Sequence, residues 1–85
     1  MTQEDIIITR REGAWVFGRI GGFDFEVKRF DQPSIFGIDE GRISKLWIAS
    51  RVSYRAVATY DRGWDRLPRF DNEIEATQAV IDRFN

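Results

Sequence analysis

Up to Tyr60 the chain consists of short runs in which apolar residues cluster or alternate with polar ones, and a helical spacing takes over only near the end. Asp5 to Thr9 holds Ile6, Ile7 and Ile8 in succession, and β-branched side chains suit a strand. Arg11-Glu12-Gly13 reads as a turn. Ala14 to Ile20 and Phe23 to Phe30 are strand-like runs on either side of Gly21-Gly22. Two glycines there suit a type I′ hairpin turn, which needs positive φ at both central residues. Ile43 to Ser50 and Tyr54 to Tyr60 read as further strands, the second followed by a turn at Asp61-Arg62-Gly63. Pro68 bars regular helix before it. Beyond it, Ile74, Thr77, Ile81 and Phe84 follow a 3–4 spacing flanked by Val80, with Glu73 and Glu75 in the first turn and Arg83 in the last, as a helix dipole favours. Asn72 followed by Glu75 predicts a capping box in which Asn replaces the usual Ser or Thr. The pattern predicts an α+β fold: an antiparallel four- to five-stranded meander sheet with one C-terminal helix packed on one face, forming a single domain over residues 1–85.

The double glycine also predicts a register. With Ile20 opposite Phe23, Gly18 falls opposite Phe25 and Val16 opposite Val27, all on the face that becomes the core. The other face carries Arg19 opposite Asp24, Phe17 opposite Glu26 and Trp15 opposite Lys28. An Arg19–Asp24 ion pair and a Lys28–Trp15 cation–π contact follow, each worth under about 1 kcal/mol when exposed. In the next strand, Leu46 and Ile48 share one side, while Ile43, Lys45 and Trp47 share the other.

One helix covers one face of a sheet, which leaves Trp15, Phe17 and Trp47 without an evident cover. A solvated antiparallel face is normally polar. Either the sheet curls or the Asp31 to Arg42 loop folds over these aromatics, or they form an interface. That loop, with Pro33, Gly37 and Gly41 as well as Ile35, Phe36 and Ile38, is long for a small domain, and such loops are often functional.

Composition sharpens the choice of chemistry. Hydrophobic residues make up 42% and charged residues 32%, with a net charge of only -1, which excludes a disordered charged tail. There is no Cys and no His, so no disulfide framework, no thiolate site and no imidazole base is available. Nucleophilic triads and phosphate-cradling glycine loops are likewise missing, and no acidic stretch has EF-hand spacing. The expectation is a non-enzymatic protein without cofactor or metal. The acidic start, Met1-Thr2-Gln3-Glu4-Asp5, and the short apolar runs point to neither an export signal nor a membrane span, so a cytoplasmic location is expected.

Charge is unevenly spread: residues 42–69 carry seven basic side chains against two acidic ones. Arg supplies 11 of the 13 basic residues of the chain and suits bidentate recognition of anions. Two assignments follow. In the first, Trp15, Phe17 and Trp47 anchor a partner protein while Arg42, Lys45, Arg51 and Arg55 steer it. In the second, Arg42, Tyr60, Arg62 and Trp64 bind an anionic nucleotide as a ligand sponge. Against both stands the plain alternative of a solvated charged face with local pairs such as Arg62–Asp65 or Asp61–Arg66. Direct nucleic-acid binding is not expected, and a structural homo-oligomer, a dimer for instance, is the third reading.

Gly41-Arg42-Ile43-Ser44-Lys45-Leu46-Trp47-Ile48, together with Tyr60-Asp61-Arg62-Gly63-Trp64-Asp65, resembles a small uncharacterised family of bacterial proteins often found in phages and integrative elements. The resemblance runs from about Trp15 to Asn85. It implies a phage or mobile-element context, in which small proteins often inhibit host machinery, anti-CRISPR proteins among them. The partner so implied is a host protein, in its most specific form a nucleic-acid-guided nuclease.

Overall fold

The computed structural model describes residues 1–85. Six strands follow one another in an antiparallel meander, each beside its neighbour in sequence: β1 (Ile6–Glu12), β2 (Trp15–Ile20), β3 (Phe23–Arg29), β4 (Ile43–Ser50), β5 (Ala56–Asp61) and β6 (Trp64–Arg66). A single helix, α1 (Asp71–Phe84), closes one face. The strand count exceeds the expected four to five because Trp64-Asp65-Arg66 returns from the Asp61–Gly63 bend and pairs with β5. Three residues leave no alternation to read. Likewise β5 begins at Ala56 and not Tyr54, which lies in the preceding turn at φ 61°.

The hairpin register is the predicted one. Ile20 pairs with Phe23, Gly18 with Phe25 and Val16 with Val27 on the core face, and Arg19 with Asp24, Phe17 with Glu26 and Trp15 with Lys28 on the other. β4 departs from simple alternation. Lys28 pairs with Lys45 but Arg29 pairs with Ile43, so Ser44 is the extra residue of a bulge. The bulge turns Ile43 into the core, where it is fully buried, and away from the Lys45–Trp47 side where alternation placed it.

The core lies between the sheet and α1. It gathers Val16, Ile20, Phe23, Phe25 and Val27 of the hairpin with Ile43, Leu46, Ile48, Ala58 and Tyr60, and α1 adds Ala76, Ala79, Val80, Ile81 and Phe84. Each fully buried Ile, Val or Phe contributes roughly 1.5–3 kcal/mol. Phe84 lies tilted against Phe25, ring centroids 5.7 Å apart. The helix buries Thr77, Val80, Ile81 and Phe84 as its spacing predicted, with Ala76 and Ala79 beside them, but Ile74 in the first turn stays 45% exposed. Its start also differs. Phe70 is the N-cap position, and Glu73 Oε1 accepts the main-chain N–H groups of Arg69 and Phe70 at 2.9 and 3.3 Å, the role that Asn72 and Glu75 were expected to share.

The 31–42 loop packs on the helix side of the sheet. Ile38 enters the core, the Tyr60 hydroxyl donates to the Phe36 carbonyl at 2.7 Å, and Asn85, just after α1, clasps the loop's exit. The loop therefore does not cover Trp15, Phe17 and Trp47. Arg62 takes the left-handed conformation at the β5–β6 bend, φ 61°.

Candidate docking face

The helix-free face of the sheet is organised in rows by strand pairing. One row runs Arg10, Phe17, Glu26, Trp47 and Thr59 across β1 to β5. Its neighbour runs Glu12, Trp15, Lys28, Lys45 and Asp61. On the other side of the first row lie Ile7, Arg19, Asp24 and Ala49. Trp15, Phe17 and Trp47, separated by up to 32 positions in the chain, thus meet on one surface because β2 and β4 both flank β3.

These aromatics are half-buried without help from α1 or the loop. Trp15 and Phe17 stack at 22° with centroids 6.2 Å apart. Cations lie over the rings: the Arg10 guanidinium is 4.1 Å from the Phe17 ring centre, and Lys28 Nζ is 6.0 Å from that of Trp15 and 5.4 Å from that of Phe30. Trp47 stands roughly 10 Å from Phe17, two strand spacings away, with Glu26 between them. Trp15 and Trp47 border a shallow open hollow of about 300 Å³ that Glu26, Lys45, Asp61 and Asp65 also line.

Ion pairs rim the face. Asp24 sits between Arg19 at 3.6 Å and Arg51 at 3.8 Å, and Lys45 Nζ is 4.0 Å from Asp61. The β1 edge adds Arg10–Glu12 at 3.4 Å. All four pairs are solvated, so each is worth under about 1 kcal/mol and opens at little cost to a partner.

Residues 14–85 match the protein family described as "Domain of unknown function (DUF7678)". The chain belongs to that family. The matched region starts at Ala14 and takes in β2 through α1, so all three aromatics of the face lie within it while β1, with Arg10, lies outside. No curated protein and no solved structure matches the chain.

Of the residues assigned to partner binding, Trp15, Phe17, Trp47 and Lys45 share the face, and Arg51 joins its margin through Asp24. Arg42 and Arg55 do not share it. Arg42 is held beside Asn85, donating from Nη2 to the Asn85 main-chain oxygen at 3.4 Å, and Arg55 lines a cavity at the start of α1. Of the four residues assigned to a nucleotide, Tyr60 and Trp64 touch edge to face at 5.2 Å, but Tyr60 is buried and its hydroxyl is committed to Phe36. Arg62 lies 5.9 Å from the Phe36 ring, and neither the Arg62–Asp65 nor the Asp61–Arg66 pair forms, Asp61 meeting Lys45 instead. Two participants escaped the sequence reading. Arg10 reached the face because β1 runs on to Glu12 past a bulge at Thr9, and Glu26 was visible as Phe17's partner but not as the neighbour of Trp47, since the β3–β4 register has no local signal.

Proposed function

We propose that this protein is a non-enzymatic binding module that docks a partner protein on the helix-free face of its sheet, with Trp15, Phe17 and Trp47 as anchors. The observation that carries the reading is their alignment on one surface that neither α1 nor the 31–42 loop covers. Trp is among the residues that dominate interface energetics, and partly buried, mutually stacked rings lose little further freedom on binding.

The partner's chemistry follows from the hollow between the indoles. Three carboxylates, Glu26, Asp61 and Asp65, border it against the single Lys45. Indole faces and carboxylates together favour a cation, so the partner presents a Lys or Arg side chain there. The same carboxylates count against a nucleic-acid strand, whose stacked bases bring phosphates beside the aromatics. The finer version of the reading is a phage or mobile-element protein that occupies the surface of a host protein, an anti-defence inhibitor of a nucleic-acid-guided nuclease. It leans on the resemblance of the Gly41–Ile48 and Tyr60–Asp65 stretches and on the small size of the chain.

Affinity capture from bacterial lysate tests the docking face. A protein retained by the wild type and by Ile35→Ala, and lost from both Trp15→Ala/Trp47→Ala and Glu26→Lys, is the expected result. Equal retention by all four proteins, or retention of nothing, contradicts it.

A further inference from the structure

At the opposite side of the sheet, by the start of α1, lies a cavity of about 450 Å³ that the docking reading does not use. Arg55 from the β4–β5 connection, Arg66 from β6 and Arg69 from the link to α1 all line it. None of the three lies within ion-pair distance of a carboxylate. Glu73 also lines the cavity, but its Oε1 is engaged by the main-chain N–H groups of Arg69 and Phe70. Met1 lines the cavity too, its ammonium 3.7 Å from Glu75, so three guanidiniums against the Glu73 carboxylate leave an excess of two positive charges around a single space. The excess comes from the side chains, since Asp71 and Glu73 offset the dipole at the first turn of α1. At the rim, Phe70 leaves 67% of its surface exposed, a ring face with no stacking partner in the fold.

We propose that this cavity binds a nucleotide-like ligand, its phosphate held by Arg55, Arg66 and Arg69 and its planar base laid on Phe70. Guanidinium forks match phosphate oxygens two at a time, and three guanidiniums without ion-pair partners around one space favour an anion there. An aromatic ring beside the anion site adds the recognition that a bare phosphate cannot use. The volume lies within the roughly 300–1,000 Å³ of small-molecule sites. The site is separate from the docking face, so either stands without the other. It also differs from the Arg42, Tyr60, Arg62 and Trp64 set, whose polar groups are largely spent within the fold.

Calorimetric titration at low salt with adenosine monophosphate, pyrophosphate and adenosine tests the proposal. Saturable binding of adenosine monophosphate is expected, with adenosine at least about tenfold weaker. Arg66→Gln and Arg69→Gln each weaken it by roughly tenfold, the loss expected for one charge-assisted hydrogen bond. Phe70→Ala brings adenosine monophosphate down toward pyrophosphate, and Arg83→Gln, at the far end of α1, changes nothing. Helical circular dichroism confirms that each variant is folded, and Arg55→Gln stands in for any that is not. Absence of saturable binding of both phosphates, binding indifferent to the arginine substitutions, or binding of oligonucleotides without binding of the mononucleotide overturns the proposal.

Discussion

Phe25 occupies the space that a side chain at Gly18 would need: a Cβ at position 18 falls 2.6 Å from Phe25 Cζ and collides with the Ile7 carbonyl oxygen. Gly18 is therefore required by close packing between paired strands and not by its backbone angle. Gly18→Ala is expected to lose about 1–3 kcal/mol in urea unfolding, the range for overpacking a tight core. Phe25→Leu should recover part of that loss in the double variant, because the two positions share one volume. An additive double variant contradicts this account of the contact.

Asn85 ties the end of α1 to the start of β4. Its Oδ1 accepts from the main-chain N–H of Arg42 at 2.9 Å and of Ile43 at 3.3 Å, while Nδ2 donates to the Ile38 carbonyl at 3.0 Å. Asn85→Ala removes the acceptor of the Arg42 and Ile43 N–H groups, while the Ile38 carbonyl keeps the Gly41 N–H at 2.9 Å, and a loss of about 1–3 kcal/mol is expected. Asn85→Asp keeps the acceptor but sets a second oxygen against the Ile38 carbonyl, so it should not rescue stability. Hydrogen exchange at Arg42 and Ile43 separates the two variants: both amides exchange faster in Asn85→Ala than in Asn85→Asp, which keeps their acceptor.

Tyr54 holds a left-handed conformation, φ 61°, with 83% of its surface exposed. A non-glycine residue there costs roughly 1–2 kcal/mol, and Asn tolerates the region better than Tyr. Tyr54→Asn is expected to raise stability by up to about 1 kcal/mol in chemical denaturation. Destabilisation instead would mean that the ring contributes contacts its exposure does not reveal.

The pairing of the central hairpin was legible because Gly21-Gly22 forms a two-residue loop, and the six residue pairs from Ile20–Phe23 to Trp15–Lys28 follow by alternation. Only Gly21 takes positive φ, however, so the turn is not the expected type I′. That register alone brings Arg19 to Asp24 and Lys28 to Trp15, as the structure shows. Ile43 could not, since a one-residue bulge reverses parity and has no composition of its own. Nor could the clasp of Asn85, a single polar residue whose partners lie more than 40 positions earlier. The helix start was misassigned for a physical reason: Glu73 caps from within the first turn, so Asn72 sits inside the helix. Which side the 31–42 loop takes depends on Ile38, whose neighbours in sequence are Gly37 and Asp39, and no periodicity marks it as core.

The docking face is tested most directly by photocrosslinking within living cells, with p-benzoylphenylalanine placed in turn at Phe17, Trp47, Ile35 and Val52. Ile35 and Val52 are 77% and 89% exposed and lie off the face, so they report chance encounters. The account predicts one crosslinked protein shared by positions 17 and 47, absent at 35 and 52, and lost when Glu26→Lys is added. Crosslinks at 35 and 52 equal to those at 17 and 47, or crosslinks at 17 and 47 only to a second copy of this chain, would contradict it.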